Sequence, residues 1–328
     1  VLLLAALNSK PQQGTGAVEQ EVGTKLADFL SVKDFGAIGD NVSDDTTAIQ
    51  ACIDAAASSY RAVYFPAGTY KITATLTITE TIKLFGETSE ASVIANTTND
   101  VVAISITSAT RDADRSIIED LRINHEAATK YAVLVGNAPF CTLTNVRIEC
   151  NSLGLGGILL GDELTTPTDG AYLGVITNCR VREYTDFGVR VNSTGTLWNF
   201  KSCHVGSTVA GAIAGHFNKE AVKLDGGQWG ANNTGGTGIN DYNSSAGDRE
   251  GSTFENQVFE SISNNCIAFD GNTNAVVGGI ARGSYANMSS VSGNVCYFGR
   301  AKKCRFEYPR IKNPTSGGTA CEWSANAD

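Results

Sequence analysis

The stretch from Leu197 to Gly226 can be laid over other stretches of the chain, and this repetition restricts the fold more than any other feature. Ile118, Leu143, Ile176, Phe200, Leu224, Phe254, Val277 and Ala301 align in one apolar column, at steps of 25, 33, 24, 24, 30, 23 and 24 residues. Two places on stand Asp120, Asn145, Asn178, Ser202, Gly226, Asn256, Gly279 and Lys303, and one place further Leu121, Val146, Cys179, Cys203, Gly227, Gln257, Ile280 and Cys304. Side chains alternate along a strand, so the first and third sets are read as inward and the residues between them as outward. Apolar columns at a near-constant period mean stacked turns that share one core. A further strand follows in each turn at 132–135, 157–160, 188–191, 238–239 and 266–269, and the whole predicts a parallel solenoid of about eight turns.

Composition agrees. With 35 Gly, 6 Pro, 1 Met and runs of Val, Ile, Thr and Asn, the chain is expected to be all-β. The net charge of −9 argues against nucleic acid or an anionic membrane as a partner, since both require a basic face. The nine Cys form no C-x-x-C pair or Cys/His cluster, so no metal or cofactor is expected and the thiols are read as small buried apolar groups. Cys179 and Cys203 fall inward on adjacent turns about 4.8 Å apart, where a packing ladder is favoured over a disulfide. The apolar opening Val1–Leu7 is far short of the ~20 residues of a membrane span, so no membrane insertion is expected, and it reads as the middle of a longer protein.

Val18, Val22, Leu26 and Phe29 share one helical face, so residues 1–30 are expected to be a neck that is helical in part. Ser31–Phe35 reads as a strand. Asp40, Asp44 and Asp45 read as turn and cap residues, since the calcium-loop spacing and its terminal Glu are missing. Ile49, Cys52, Ile53 and Ala56 then mark a helix. Ala62–Phe65 and Tyr70–Ile72, with Pro66-Ala67-Gly68 between them, read as a hairpin-like pair.

The run SVKDFGAIGDNVSDDTTAIQACIDAA (31–56), followed by VYFPAGTYKI (63–72), resembles the entry module of pectate-lyase-like, right-handed parallel β-helix proteins, bacteriophage tailspikes in particular. The preceding TGAVEQEVGTKLADF (15–29) is similar to the neck that leads into that module. The resemblance implies an entry module over 31–80, stacked turns over about 81–310 within a 31–328 domain, and a helix that caps the open end. It further implies a homotrimer in the phage virion, joined to other tail proteins through its N-terminal side and acting on a bacterial surface polysaccharide.

Function on a regular wall lies in its interruptions. From the second-strand residue to the next column residue the count is 13 after Val189 and after Ile213, but 20 after Ile158 and 17 after Ile239. The first insertion carries Asp162, Glu163, Asp169 and Tyr172; the second carries Asp241, Tyr242, Asp248, Arg249 and Glu250. Both lie at one corner, three turns apart, leaving a gap of roughly 14 Å at about 4.8 Å per strand. His216, Asn218 and Glu220 belong to its floor. Glycosidic hydrolysis needs a carboxylic acid and a second carboxylate about 5 to 9.5 Å apart. Glu220 is the first candidate, with Asp241 or Asp248 as partner, while His216, Asn218, Asp162, Glu163, Asp169, Tyr172, Tyr242 and Arg249 would hold substrate. A spike that binds without cleaving, and a polysaccharide lyase, are the competing readings.

Arg122, Arg147, Arg180, His204 and Gln228 are expected to face outward on successive turns, with Arg305 further along. Stacked like charges are unfavourable unless offset, here by Glu149 and Glu183 or by an anionic ligand. Trp198 and Trp229 share the inward parity and are expected to be buried.

Overall fold

A computed structural model describes residues 8–9, 15, 20–21, 29–59, 62–108, 110, 112–161, 171–192, 196–218, 222–231, 236–243, 249–260, 265–271, 274–287, 294–312 and 321–323. Within them the chain is nearly all β, a parallel β-helix of about nine turns rather than eight. Ten strands, one per turn, stack in parallel from Leu76–Ile78 to Cys321–Trp323. The other two strands of each turn meet end to end at a bend and run up the coil as a second continuous sheet. Strands such as Ile117–Glu119, Thr142–Thr144 and Val175–Thr177 keep only their central apolar residue buried, which is the alternation the sequence predicts.

The bend explains the second aligned column. Asp120, Asn145, Asn178, Ser202 and Asn256 all have left-handed backbone, with φ between 51° and 56°, and Gly226 has φ 65°. Asp and Asn tolerate this conformation better than other side chains, and here they also pay its cost by hydrogen bonding up the stack. Asn145 donates its amide to Asp120 Oδ1, and Asn178 donates to Asn145 Oδ1 at 3.4 Å. These residues are therefore corners, not outward positions on a continuous strand.

A second left-handed corner precedes four of them by five residues: Arg115, Phe140, Leu173 and Leu197 before Asp120, Asn145, Asn178 and Ser202. This repetition corrects the alignment of the last turns. Phe254 pairs with Ala281 and then Phe306, not with Val277 and Ala301. The true bend positions are Gly283 and Tyr308, whereas Gly278 and Lys303 are the preceding corners. Val276–Val277 and Ala301–Lys302 belong instead to a three-stranded sheet with Arg249–Glu250. Arg305 accordingly leaves the Arg122 row, where the matching residue is Arg310.

At the N-terminal end the helix Thr46–Ser59 buries Ile49, Cys52, Ile53 and Ala56 against the first turn. Its Gln50 side chain accepts from Thr77 N at 2.9 Å and donates to Thr77 O at 3.0 Å. One amide thus completes the backbone pairing of the terminal strand, which would otherwise present an open edge. Asp45 gives its backbone carbonyl to Ile49 N as the first helical acceptor, while its carboxylate takes the amides of Ile38 and Gly39 at 2.7 and 3.0 Å. Asp44 receives Thr46 N, and Asp40 receives Val42 N and Ser43 N.

Three local expectations change. Ala62–Phe65 and Gly68–Ile72 are not a hairpin: each pairs in parallel with the next turn, through Lys83–Gly86 and Ser92–Asn96. Ser31 ends the strand Phe29–Ser31, after which Val32–Phe35 is a 3-10 turn. Of the predicted neck face, Val18, Val22 and Leu26 lie outside the described residues; Gln20–Glu21 pairs antiparallel with Asn8–Ser9, and Phe29 joins the first turn as a strand, edge-on to Tyr64 and Phe85 at 5.4 and 5.9 Å. Cross-strand aromatic contact outweighs helical periodicity there.

All nine cysteines are unpaired thiols, eight of them buried. Cys179 donates to Thr177 O and Cys203 to Ile176 O, both at 3.4 Å, so the thiol ladder also serves the bend carbonyls. Burial pushes the Cys203 thiol up to about 11. Trp198 and Trp229 are both fully buried, as their parity predicts.

Candidate functional site

The outer face of the ten-stranded sheet is ordered by register. Arg190, His216 and Asn240 are direct cross-strand neighbours on three successive turns. Two residues along each of these strands stand Asn192, Asn218 and Tyr242, all half-buried. The rings run along the coil axis: Phe187 lies 4.7 Å from His216, and His216 lies 5.5 Å from Tyr242, with interplanar angles of 31° and 35°. Arg190 places its guanidinium 5.1 Å from the Phe187 centroid. A strip of rings bordered by guanidinium and amide groups is a surface along which a sugar chain can lie, with polar groups beside it for hydroxyls. Arg190 Nε and Asn240 Oδ1 are buried without a hydrogen-bond partner among the described residues, a cost that this face carries.

One carboxyl borders this face that sequence reasoning missed. Asp186 lies just before Phe187, and its Oδ2 accepts from the Tyr131 hydroxyl at 3.3 Å. Tyr131 reaches it from two turns below by lying over Gly156, where a Cβ would sit 2.3 Å from the ring. Burial raises the Asp186 pKa, opposed by Arg190 and by the Tyr131 hydrogen bond. A raised carboxyl pKa is the direction a proton donor requires. No repeat marks Asp186; the only signal was its place between the regular turn and the strand Phe187–Val191.

The predicted site residues separate into three groups. His216, Asn218 and Tyr242 share the face just described. Tyr172 stands at a corner, in an isolated parallel bridge with Thr196 and edge-on to Phe140 at 6.0 Å. Asp241 lies in the core: it is fully buried in the inward column Val191, Phe217, Asp241, Phe269. Its carboxylate accepts from Ser252 N at 2.8 Å and Ser252 Oγ at 3.2 Å. Its parity with Ile239 was the sequence signal for this placement. Glu220, Asp248, Asp162, Glu163 and Asp169 lie outside the described residues, as does the side chain of Arg249.

Comparison with known proteins accords with this architecture. Residues 29–137 match the family described as rhamnogalacturonase A/epimerase, pectate lyase-like. Over those residues, about a third of its length, the chain is similar to that family. A mannuronan C5-epimerase of Azotobacter vinelandii is 65% identical over 43 residues, covering 13% of this chain and 4% of the relative. A probable glucan endo-1,3-beta-glucosidase of Arthroderma benhamiae is 51% identical over 59 residues, 18% of this chain and 7% of the relative. The chain thus spans only a small part of the length of those relatives. Among solved structures, a mutant tailspike protein of the Escherichia coli bacteriophage HK620, in complex with a hexasaccharide, superposes with a TM-score of 0.70 at 12% identity, over 96% of this chain and 62% of that one. At that identity the likeness is one of fold.

Proposed function

We propose that the chain is part of a phage tailspike that binds a bacterial surface polysaccharide along the Phe187–His216–Tyr242 face and cleaves it by hydrolysis. The observation that carries the reading is the ring ladder itself, two contacts of 4.7 and 5.5 Å along the axis, flanked by Arg190, Asn240 and Asn218. A ladder of this kind suits a linear chain of sugars, because its side chains come from successive turns spaced by about 4.8 Å. Likeness of fold to a tailspike solved with a hexasaccharide supports the same reading.

In this proposal Glu220 and Asp248 are the catalytic carboxylates at the insertion corner, and Tyr172, Asp162, Glu163, Asp169 and Arg249 extend the binding surface. Asp186 is added as a candidate proton donor, since burial favours its acid form. Asp241 is left out of the chemistry, because it is sealed in the core. The active species is proposed to be a homotrimer attached to the virion through its N-terminal side.

The test incubates the purified protein with capsule or O-antigen from the host bacterium and follows chain length. Shortened chains with saturated ends are expected. Glu220→Gln should abolish shortening and keep binding, while Tyr242→Ala should weaken binding. Tight binding with no shortening over hours would instead establish a non-catalytic receptor-binding spike, and new ultraviolet absorbance from an unsaturated uronide would establish a lyase.

A further inference from the structure

The Arg122, Arg147 and Arg180 row lies on the other sheet, and its three arginines are direct neighbours on successive turns, continued by His204. Their charges are offset unequally. Arg122 donates Nε to Asn124 Oδ1 at 2.8 Å. Arg147 is ion-paired with Glu90 and lies 3.6 Å from Glu149. Glu183 is engaged elsewhere, accepting from Thr208 Oγ1 at 2.7 Å and Ser152 Oγ at 3.3 Å.

Arg180 has no such partner. Among the described residues no carboxylate lies within ion-pair distance of it, and its Nε is buried without an acceptor, as is that of Arg147. Desolvation, with Arg182, Arg147 and Arg122 nearby, lowers its pKa, against the weaker opposing effect of Glu149. The guanidinium keeps its charge at ordinary pH, and with like charges on the neighbouring turns an anion beside it would be favoured. Beside it opens a cavity of about 280 Å³, lined by Arg147, Arg180, His204 and the bend residues Asn145, Asn178 and Ser202, with Glu90, the ion-pair partner of Arg147, also on its lining. The bend side chains offer amides and a hydroxyl on one wall, and the guanidinium groups occupy the other.

We propose that this cavity is an oxyanion site that takes the carboxylate of an acidic sugar unit, with Arg180 as its fork and the bend amides on the sugar hydroxyls. A planar guanidinium matches a carboxylate with two parallel hydrogen bonds, and the cavity is at the small end for ligand pockets, suited to one sugar rather than a chain. The site is separate from the aromatic face and does not rest on the reading given to that face.

The experiment titrates the whole protein calorimetrically with glucuronate, glucose and inorganic sulfate. Glucuronate is expected to bind at one site and glucose not to bind. Arg180→Gln should weaken glucuronate by about tenfold or more, as loss of a charge-assisted pair implies. Arg180→Lys, which keeps the charge and loses the fork, should fall between, and Tyr242→Ala should bind glucuronate as the parent does. Sulfate binding without glucuronate binding would overturn the sugar assignment in favour of a simple inorganic site. Absence of glucuronate binding, or equal affinity in a folded Arg180→Gln protein, would overturn it as well. So would an Arg180→Gln protein that only changes sedimentation, which would make this row a contact between copies of the chain.

Discussion

Replacing Asp241 separates two roles that a carboxylate at this corner could have. Its oxygens hold Ser252 N and Ser252 Oγ at 2.8 and 3.2 Å, in a column whose neighbours are Phe217 and Phe269. Asp241→Ala removes a hydrogen bond to a charged acceptor, worth about 1.5–3 kcal/mol, and strands a buried amide at a further cost of about 1–3 kcal/mol. Allowing for relaxation, the local loss is set at about 3 kcal/mol, which corresponds to about a hundredfold faster opening of that turn. In a stacked repeat the effect is felt mainly by the turn and its neighbours, so a single global midpoint would understate it. Hydrogen exchange at the Ser252 amide is the direct assay: about a hundredfold loss of protection is expected in Asp241→Ala, and a much smaller loss in Asp241→Asn, which retains an acceptor. Unchanged protection in Asp241→Ala, together with abolished polysaccharide cleavage, would refute the reasoning and place the carboxylate on the outer face.

Gln50→Ala should leave Thr77 N and O unpaired at the end of the ten-stranded sheet; a loss of about 1–3 kcal/mol and greater self-association are expected, read by chemical denaturation and light scattering. Asn178 has φ 52°, so Asn178→Val should cost about 1–2 kcal/mol or more whereas Asn178→Gly should be better tolerated, as thermal unfolding would reveal. Asp186 has its pKa raised in the fold, so the folded state binds more protons than the unfolded one between the ordinary value of 3.8 and the raised value. Stability from this group is therefore lost as pH climbs through that window, and Asp186→Asn should flatten the stability profile there.

The stacked core was legible in the sequence because Ile118, Leu143, Ile176, Phe200, Leu224 and Phe254 recur at strand parity and near-constant spacing. The capping helix was legible from Ile49, Cys52, Ile53 and Ala56. The slip after Asn256 has a specific cause: Val276-Val277-Gly278 imitates a strand followed by a bend, and the last turns, like those of Asp120 to Ser202, contain two left-handed corners five residues apart. Local pattern alone does not say which corner is which; pairing of Phe254 with Ala281 does. The site was half legible. His216 and Tyr242 carry outward parity, and Ile239 set the inward parity of Asp241. Asp186 depends on Tyr131, two turns away across Gly156, and such a contact leaves no trace in periodicity.

The uniform corners also make the coil a ruler. Asn199 and Lys223 are in register on adjacent turns, so excising residues 199–222 would rejoin the chain at an equivalent point of the next turn with its corner sequence intact. The separation of Phe187 from Tyr242 would shorten by one strand spacing, about 4.8 Å. Loss of this turn would also remove His216, Asn218 and Glu220, so gain or loss of a whole turn changes the length of ligand measured by this surface in discrete steps and carries the contacts of that turn with it.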